Sequence, residues 1–169
     1  IGESGVRVAT KIDAAHGVHM DYKSHTGAAT GIGESAIVDY YSGKQSIVAK
    51  SSTEAELIGA TDLANQSIKL RNFIIAQGYQ PMPAIIYQDN QSAIALINKG
   101  SPGSMRSRHI GIRYFWLHEQ CEREIVEIIY LSTKLMGAAN ILTKPVVGSQ
   151  FIVERDDLTN WNKDVCDQY

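Results

Sequence analysis

Three carboxylates stand where the apolar pattern calls for core: Asp13 closing the alternation of Val6, Val8 and Ile12, Glu56 inside a capped helical stretch, and Asp89 just after the run Ala84-Ile85-Ile86-Tyr87. Helical positions advance about 100° per residue, so Glu56 falls within about 40° of Leu63, Leu70 and Ile74 on the inward stripe. Glu54 lies opposite, with Asn65, Lys69 and Asn72. A carboxylate on a buried face is costly unless a cation meets it, so Glu56 calls for a partner, whereas Glu54 is accounted for as a cap. Asp13 and Asp89 each end a strand, on the side of an α/β sheet where ligands gather when strands run parallel. Three convergent anions repel one another. The usual remedy is a hard cation such as Mg²⁺, which takes carboxylate and water oxygens and suits phosphate substrates. Taken singly, each acid has a plainer role: Asp89 as a helix N-cap, Asp13 as a polar strand end, Glu56 in an ion pair with Lys or Arg.

A second feature bears on the substrate. From Lys99 to Arg113 the chain carries Lys99, Arg106, Arg108, His109 and Arg113 without an acid, and Pro102 and Gly103 make the middle of this stretch a loop. Such a patch at a helix start can hold phosphates, and on composition alone a solvated basic loop is an equal reading. Acids suited to metal beside a basic loop favour a phosphodiester. Other chemistries lack their residues. His16, His19, His25, His109 and His118 show no HExxH spacing, Cys121 and Cys166 are isolated thiols too few for zinc, and neither a GxSxG nor a phosphate-binding GxxxxGK motif is present.

The elements that must position these groups read as β followed by α/β. Val6 to Asp13, Ser24 to Ile32 and Ala36 to Tyr41 are strand candidates in an antiparallel meander, the last two joined by the short turn Gly33-Glu34-Ser35. Ser51-Ser52-Thr53-Glu54 fits a capping box opening the longest helix, which runs to Gln77 and stops at Gly78. A strand over residues 84–87 leads to a helix over 90–99 that closes at Gly100. A helix over 109–122 and a buried strand over 125–131 follow, and Thr133 is placed to cap a last short helix through Leu142, before Pro145.

Length and charge bound the whole. At 169 residues the chain suits one domain, and 44% hydrophobic with 20% charged residues is an ordinary globular composition. We expect residues 1–5 to be a linker or expression remnant, 6–147 the domain, and 148–169 an acidic tail or docked helix. The net charge of −2 offers no global attraction to a polyanion. Residues 148–169 hold five acids against two bases, however, so the remainder carries 14 bases and 13 acids. No apolar run reaches a membrane span and no signal-peptide pattern opens the chain, so an intracellular, cytoplasmic setting is the expectation.

Four motifs in order, Ser51-Ser52-Thr53-Glu54-Ala55-Glu56-Leu57, Tyr87-Gln88-Asp89-Asn90-Gln91-Ser92-Ala93, Arg108-His109-Ile110-Gly111-Ile112-Arg113-Tyr114-Phe115 and Ile141-Leu142-Thr143-Lys144-Pro145, resemble the ribonuclease H region of copia-type LTR retrotransposon polyproteins. The resemblance spans most of Asp13 to Pro145. It implies an α/β ribonuclease H-like fold: a five-stranded mixed sheet, three strands antiparallel and two parallel, with helices on both faces. It further implies an enzyme that cuts the RNA strand of an RNA·DNA hybrid with two Mg²⁺ ions, for which Mn²⁺ can substitute, beside an adjoining reverse transcriptase and within virus-like particles. Four acids bind the metals in that family, and the resemblance places the first three at Asp13, Glu56 and Asp89. The fourth position, just before Ile-Leu-Thr-Lys-Pro, holds Asn140, which keeps the shape of Asp and one oxygen but not the charge. That departure implies an impaired enzyme, or a catalytically silent module that binds the hybrid. Arg106, Arg108, His109 and Arg113 are the implied nucleic-acid contacts. An integrase-like DNA nuclease of related architecture would need a Glu on the last helix as its final metal ligand, and none lies between Leu131 and Pro145.

Overall fold

The computed structural model describes residues 6–33, 36–99 and 108–159. The chain runs β1 (Val8–Ala15), β2 (His25–Ile32), β3 (Ala36–Lys44), α1 (Ser52–Ala76), β4 (Ala84–Gln88), α2 (Gln91–Lys99), α3 (Arg108–Glu122), β5 (Val126–Tyr130), a 3₁₀ turn (Thr133–Leu135), α4 (Gly137–Asn140) and α5 (Gly148–Thr159). The strands form one sheet in the order β3-β2-β1-β4-β5. β1 pairs antiparallel with β2 and β2 with β3, while β4 runs parallel to both β1 and β5. This is the mixed sheet expected, three antiparallel strands and two parallel ones.

Alternation along β1 decides the two faces. Val8, Thr10, Ile12 and Ala14 are buried in turn, and Ile12 joins Leu57, Ala60, Leu63 and Ala64 of α1 with Ile86, Ile97, Tyr114, Leu117 and Val126 in the main core. Each large aliphatic buried there contributes about 1.5–3 kcal/mol of transfer free energy. The intervening residues face α4 and α5: Lys11 Nζ meets both Asp157 oxygens at 2.8 Å. Gly27, opposite Asp13 in the register, lets α4 come close, since a Cβ there would lie 2.5 Å from the Ala139 carbonyl oxygen and 2.7 Å from Thr143 Cγ2. Helices therefore cover both faces.

Several local expectations shift. β1 continues two residues past Asp13, because Ala14 and Ala15 keep pairing with Thr26 and His25. Ser51 caps α1 by accepting from the Glu54 N–H at 3.2 Å, but Glu54 reaches back to the Lys50 N–H at 2.8 Å rather than to the cap residue's own. β5 is an edge strand, not a buried one, and Tyr130 is 48% exposed. Thr133 caps nothing: its hydroxyl goes to Asp89, as described below. α5 docks with its polar side inward. Glu154 is buried and Asp157 partly so, while Phe151, Ile152 and Val153 are exposed.

Candidate metal centre

The ends of β1 and β4 lie side by side because these strands are parallel neighbours, and α1 crosses them with Glu56 in its first turn and a half. Asp13, Glu56 and Asp89 each present a carboxylate oxygen, all within 4.8 Å of one another. The three acids that periodicity and strand ends selected thus meet at one point. Two of the plainer single roles do not hold: Asn90 Oδ1, not Asp89, accepts from the Ala93 N–H at 3.0 Å and caps α2, and Glu56 faces amides rather than a Lys or Arg.

Neutral donors hold each acid. Glu56 is 5% exposed; its Oε1 accepts from the Ala14 N–H at 3.1 Å and its Oε2 from Gln88 Nε2 at 3.1 Å. Gln88, fully buried, is fixed in turn because its Oε1 accepts from the Asn90 N–H at 3.1 Å. Asp13 Oδ2 accepts from the Thr143 hydroxyl at 2.8 Å, and Asp89 Oδ2 from the Thr133 hydroxyl at 2.8 Å. Gln88, Thr133 and Thr143 were not assigned to the site from sequence. A glutamine directly after the apolar run Ala84-Ile85-Ile86-Tyr87, at the very end of the strand, was the available signal for the first.

The electrostatics show what the donors leave uncompensated. Burial, then the nearby Asp13 and Asp89 carboxylates, push the Glu56 carboxyl up to about 8, against the hydrogen bonds from Gln88 and Ala14. Asp13 is also raised, chiefly by burial and then by Asp89, with the Thr143 hydroxyl and Lys144 opposing. Two acids displaced toward the protonated form beside a third describe a site short of positive charge. A set made of carboxylate oxygens alone fits a hard divalent cation, and such an ion would relieve that repulsion.

Asn140 lies at the end of α4, 4% exposed. Its backbone carbonyl accepts from the same Thr143 hydroxyl that bonds Asp13, at 2.8 Å, so residue 140 sits one hydroxyl away from the acids. Its side-chain Nδ2 donates to Glu154 Oε1 of α5. Of the basic residues, Arg113 is engaged with Asp62 of α1 at 3.2 Å. Arg106 and the side chains of Arg108 and His109 lie outside the described residues. Cys121 is a half-buried free thiol pushed up to about 11 by burial, which suits a plain thiol. No helix among the described residues is long and apolar enough to cross a membrane.

Comparison with solved structures places this architecture. It resembles LC11-RNase H1, solved with an RNA/DNA hybrid, at TM-score 0.54 and 8% identity over 80% of this chain and 93% of that one. The N-terminal RNase H domain of a Mycobacterium tuberculosis protein gives 0.54 at 11% identity over 91% and 99%, and prototype foamy virus protease-reverse transcriptase 0.57 at 13% over 88% and 22%. The fold is that of a ribonuclease H-like domain. In sequence, the chain is 36% identical over 114 residues, 68% of its length and 8% of the relative's, to the retrovirus-related Pol polyprotein of transposon TNT 1-94 from Nicotiana tabacum. It is 24% identical over 134 residues to the Ty1-DR5 Gag-Pol polyprotein of Saccharomyces cerevisiae, 79% of this chain and 8% of that one. No protein-family model matches. The chain belongs to the retrovirus-related Pol polyproteins of transposons and has the ribonuclease H-like fold, and it spans about 8% of the length of the curated relatives it matches.

Proposed function

We propose that this domain, of copia type, hydrolyses the RNA strand of an RNA·DNA hybrid during reverse transcription, using Mg²⁺ held by its acids and acting beside the reverse transcriptase of the same polyprotein. The observation that carries the reading is the convergence of Asp13, Glu56 and Asp89 oxygens within 4.8 Å at the shared end of β1 and β4. Asp13 and Asp89 would hold one ion, and Asp13, Glu56 and the side-chain oxygen of Asn140 a second. Bound there, divalent cations supply an activated water and charge neutralisation for in-line attack on phosphorus.

The chain's own residues do the rest. Thr143 and Thr133 fix the rotamers of Asp13 and Asp89, and the Ala14 N–H and Gln88 fix Glu56, so the oxygens are preorganised before substrate arrives. Asn140 contributes no charge, so the second ion binds more weakly than four acids would hold it, and turnover is low. The basic stretch from Arg106 to Arg113 would meet the phosphate backbone, with strand choice resting on groove shape and 2′-hydroxyls rather than base sequence.

A silent, hybrid-binding module is the second reading, and Asn140 at the fourth position is what favours it. The test is a hybrid with end-labelled RNA. Cleavage that needs Mg²⁺ or Mn²⁺ and vanishes in Asp13→Asn and Asp89→Asn is the expected outcome. Hybrid binding with no cleavage at high Mn²⁺ establishes the silent module, and cleavage unchanged in both variants refutes the metal site.

A further inference from the structure

α5 meets the rest of the domain as a row of acceptors. Asp157 Oδ2 accepts from the Ala138 N–H at 2.7 Å and from Lys11 Nζ, and three residues earlier Glu154 Oε1 accepts from Asn140 Nδ2 and, at 2.8 Å, from Gln150 Nε2. The α4 side supplies donors: a backbone N–H and one side-chain amide. Glu154 is 6% exposed, and its second oxygen has no hydrogen-bond partner among the described residues. A carboxylate is acceptor-only when ionised, whereas an Asn presents a donor and an acceptor. Asn140 can therefore donate to Glu154 and still leave an oxygen over, which an Asp in its place could not do while ionised.

We propose that Glu154 dictates the residue at position 140: the buried α5 carboxylate requires a donor there, so an acid at the fourth metal-ligand position and the present docking of α5 exclude each other. The inference rests on the proposed metal-site reading for its importance, but the pairing itself concerns two side chains of the ion-free protein. An Asp at 140 would set two acceptors against each other at hydrogen-bond distance in a buried place, losing the bond and adding repulsion. Exchanging both partners, Asn140→Asp with Glu154→Gln, keeps one amide and one carboxylate and reverses the direction of donation between them, while the exposed Gln150, which now donates to the same Glu154 oxygen, turns its amide to present its own oxygen. Glu154 is accordingly a positioning residue, acting on the site through residue 140. A simple Asn140→Asp reversion is not a clean repair of the site, because it breaks the α4–α5 contact while it adds the charge.

The experiment is a double-mutant cycle on the metal-free chain, read by thermal unfolding, with Mn²⁺ binding by calorimetry alongside. Asn140→Asp lowers Tm by about 5–10 °C, Glu154→Gln alone leaves it within about 2 °C, and the double variant returns to within about 3 °C of the parent. Mn²⁺ affinity in the double variant rises about tenfold over the parent, since a charged ligand replaces a neutral one. A Tm for Asn140→Asp equal to the parent's, or a deficit that Glu154→Gln does not rescue, overturns the pairing. If Asn140→Asp does not fold, a folded double variant supports it and an unfolded one overturns it. Recovered Tm and affinity without hybrid cleavage would leave the pairing standing and count against the nuclease reading instead.

Discussion

Replacing Glu56 by glutamine removes the carboxyl that the fold holds well above its ordinary range, and the effect on stability should reverse sign with pH. In the ion-free protein Glu56 is raised from 4.5 to about 8. A raised folded-state value means that the native state binds the proton more tightly than the unfolded chain does. The corresponding stability is present in full below about 4.5 and is lost as pH rises through about 8. At about 1.4 kcal/mol per unit, the loss is on the order of 5 kcal/mol for so buried a group. The Glu56→Gln variant would escape that loss at a fixed cost. Its amide offers one acceptor where the Ala14 N–H and Gln88 Nε2 each have one now, and Gln88 cannot turn over without releasing the Asn90 N–H. One mismatched donor costs about 1–3 kcal/mol. The parent is therefore the more stable below about pH 5, the two curves cross near about pH 6, and by about pH 9 the variant leads by about 2–3 kcal/mol, roughly 5–10 °C in Tm. The assay is Tm against pH in chelator, repeated with Mg²⁺ or Mn²⁺. Saturating cation should restore the parent's stability at high pH, by about 2.7 kcal/mol at a hundredfold excess over Kd, and help the variant less. Parallel Tm profiles for parent and variant, or a variant less stable at every pH, would refute the claim that mutual repulsion and burial dominate this site.

Two further substitutions probe the supports. Thr143→Val keeps the shape but removes the hydroxyl shared by Asp13 and the Asn140 carbonyl; it should cost about 1 kcal/mol, seen as a Tm fall of about 2–4 °C, and weaken Mn²⁺ binding several-fold by calorimetry. Unchanged metal affinity would show that Asp13 does not need this donor. Gly27→Ala drives a methyl against the Ala139 carbonyl, Thr143 Cγ2 and Leu142 Cβ, at 2.5, 2.7 and 2.9 Å before relaxation. Overpacking of this kind costs about 1–3 kcal/mol, so chemical denaturation should give a correspondingly lower midpoint, and a neutral result would mean that α4 is freer to move than its contacts imply.

Much of the strand and helix order was legible because the periods differ. The two-residue alternation through Ile12 and the helical stripe through Glu56, Leu63 and Ile74 each mark an inner face, and a carboxylate on such a face announces itself. What was misread depended on neighbours distant in sequence. Thr133 looks like a cap when judged by the residues after it, yet its hydroxyl is taken by Asp89, brought close by the β4–β5 pairing. β5 is apolar enough to be central and stands at the edge because nothing pairs on its far side among the described residues. Residues 148–169 read only as an acidic tail or docked helix, with no period to say which side faces in, and it is Lys11 on the adjoining sheet face and the donors of α4 that draw the acids of α5 inward.

The sequence by itself determined that Asp13, Glu56 and Asp89 carry more weight than the other acids, since side-chain direction follows from local period and needs no knowledge of the fold. Position 140 came from the family resemblance instead, which implies an acid where this chain has an amide. Only the tertiary structure decided that the three oxygens converge, that Gln88, Thr133 and Thr143 orient them, and that Asn140 answers to Glu154. Those are contacts between residues 14 to 130 positions apart, and a hydrogen bond requires a donor and acceptor placed to within a fraction of an ångström. Local propensity cannot fix that; the pairing of β1 with β4 and the close approach of α4 at Gly27 do.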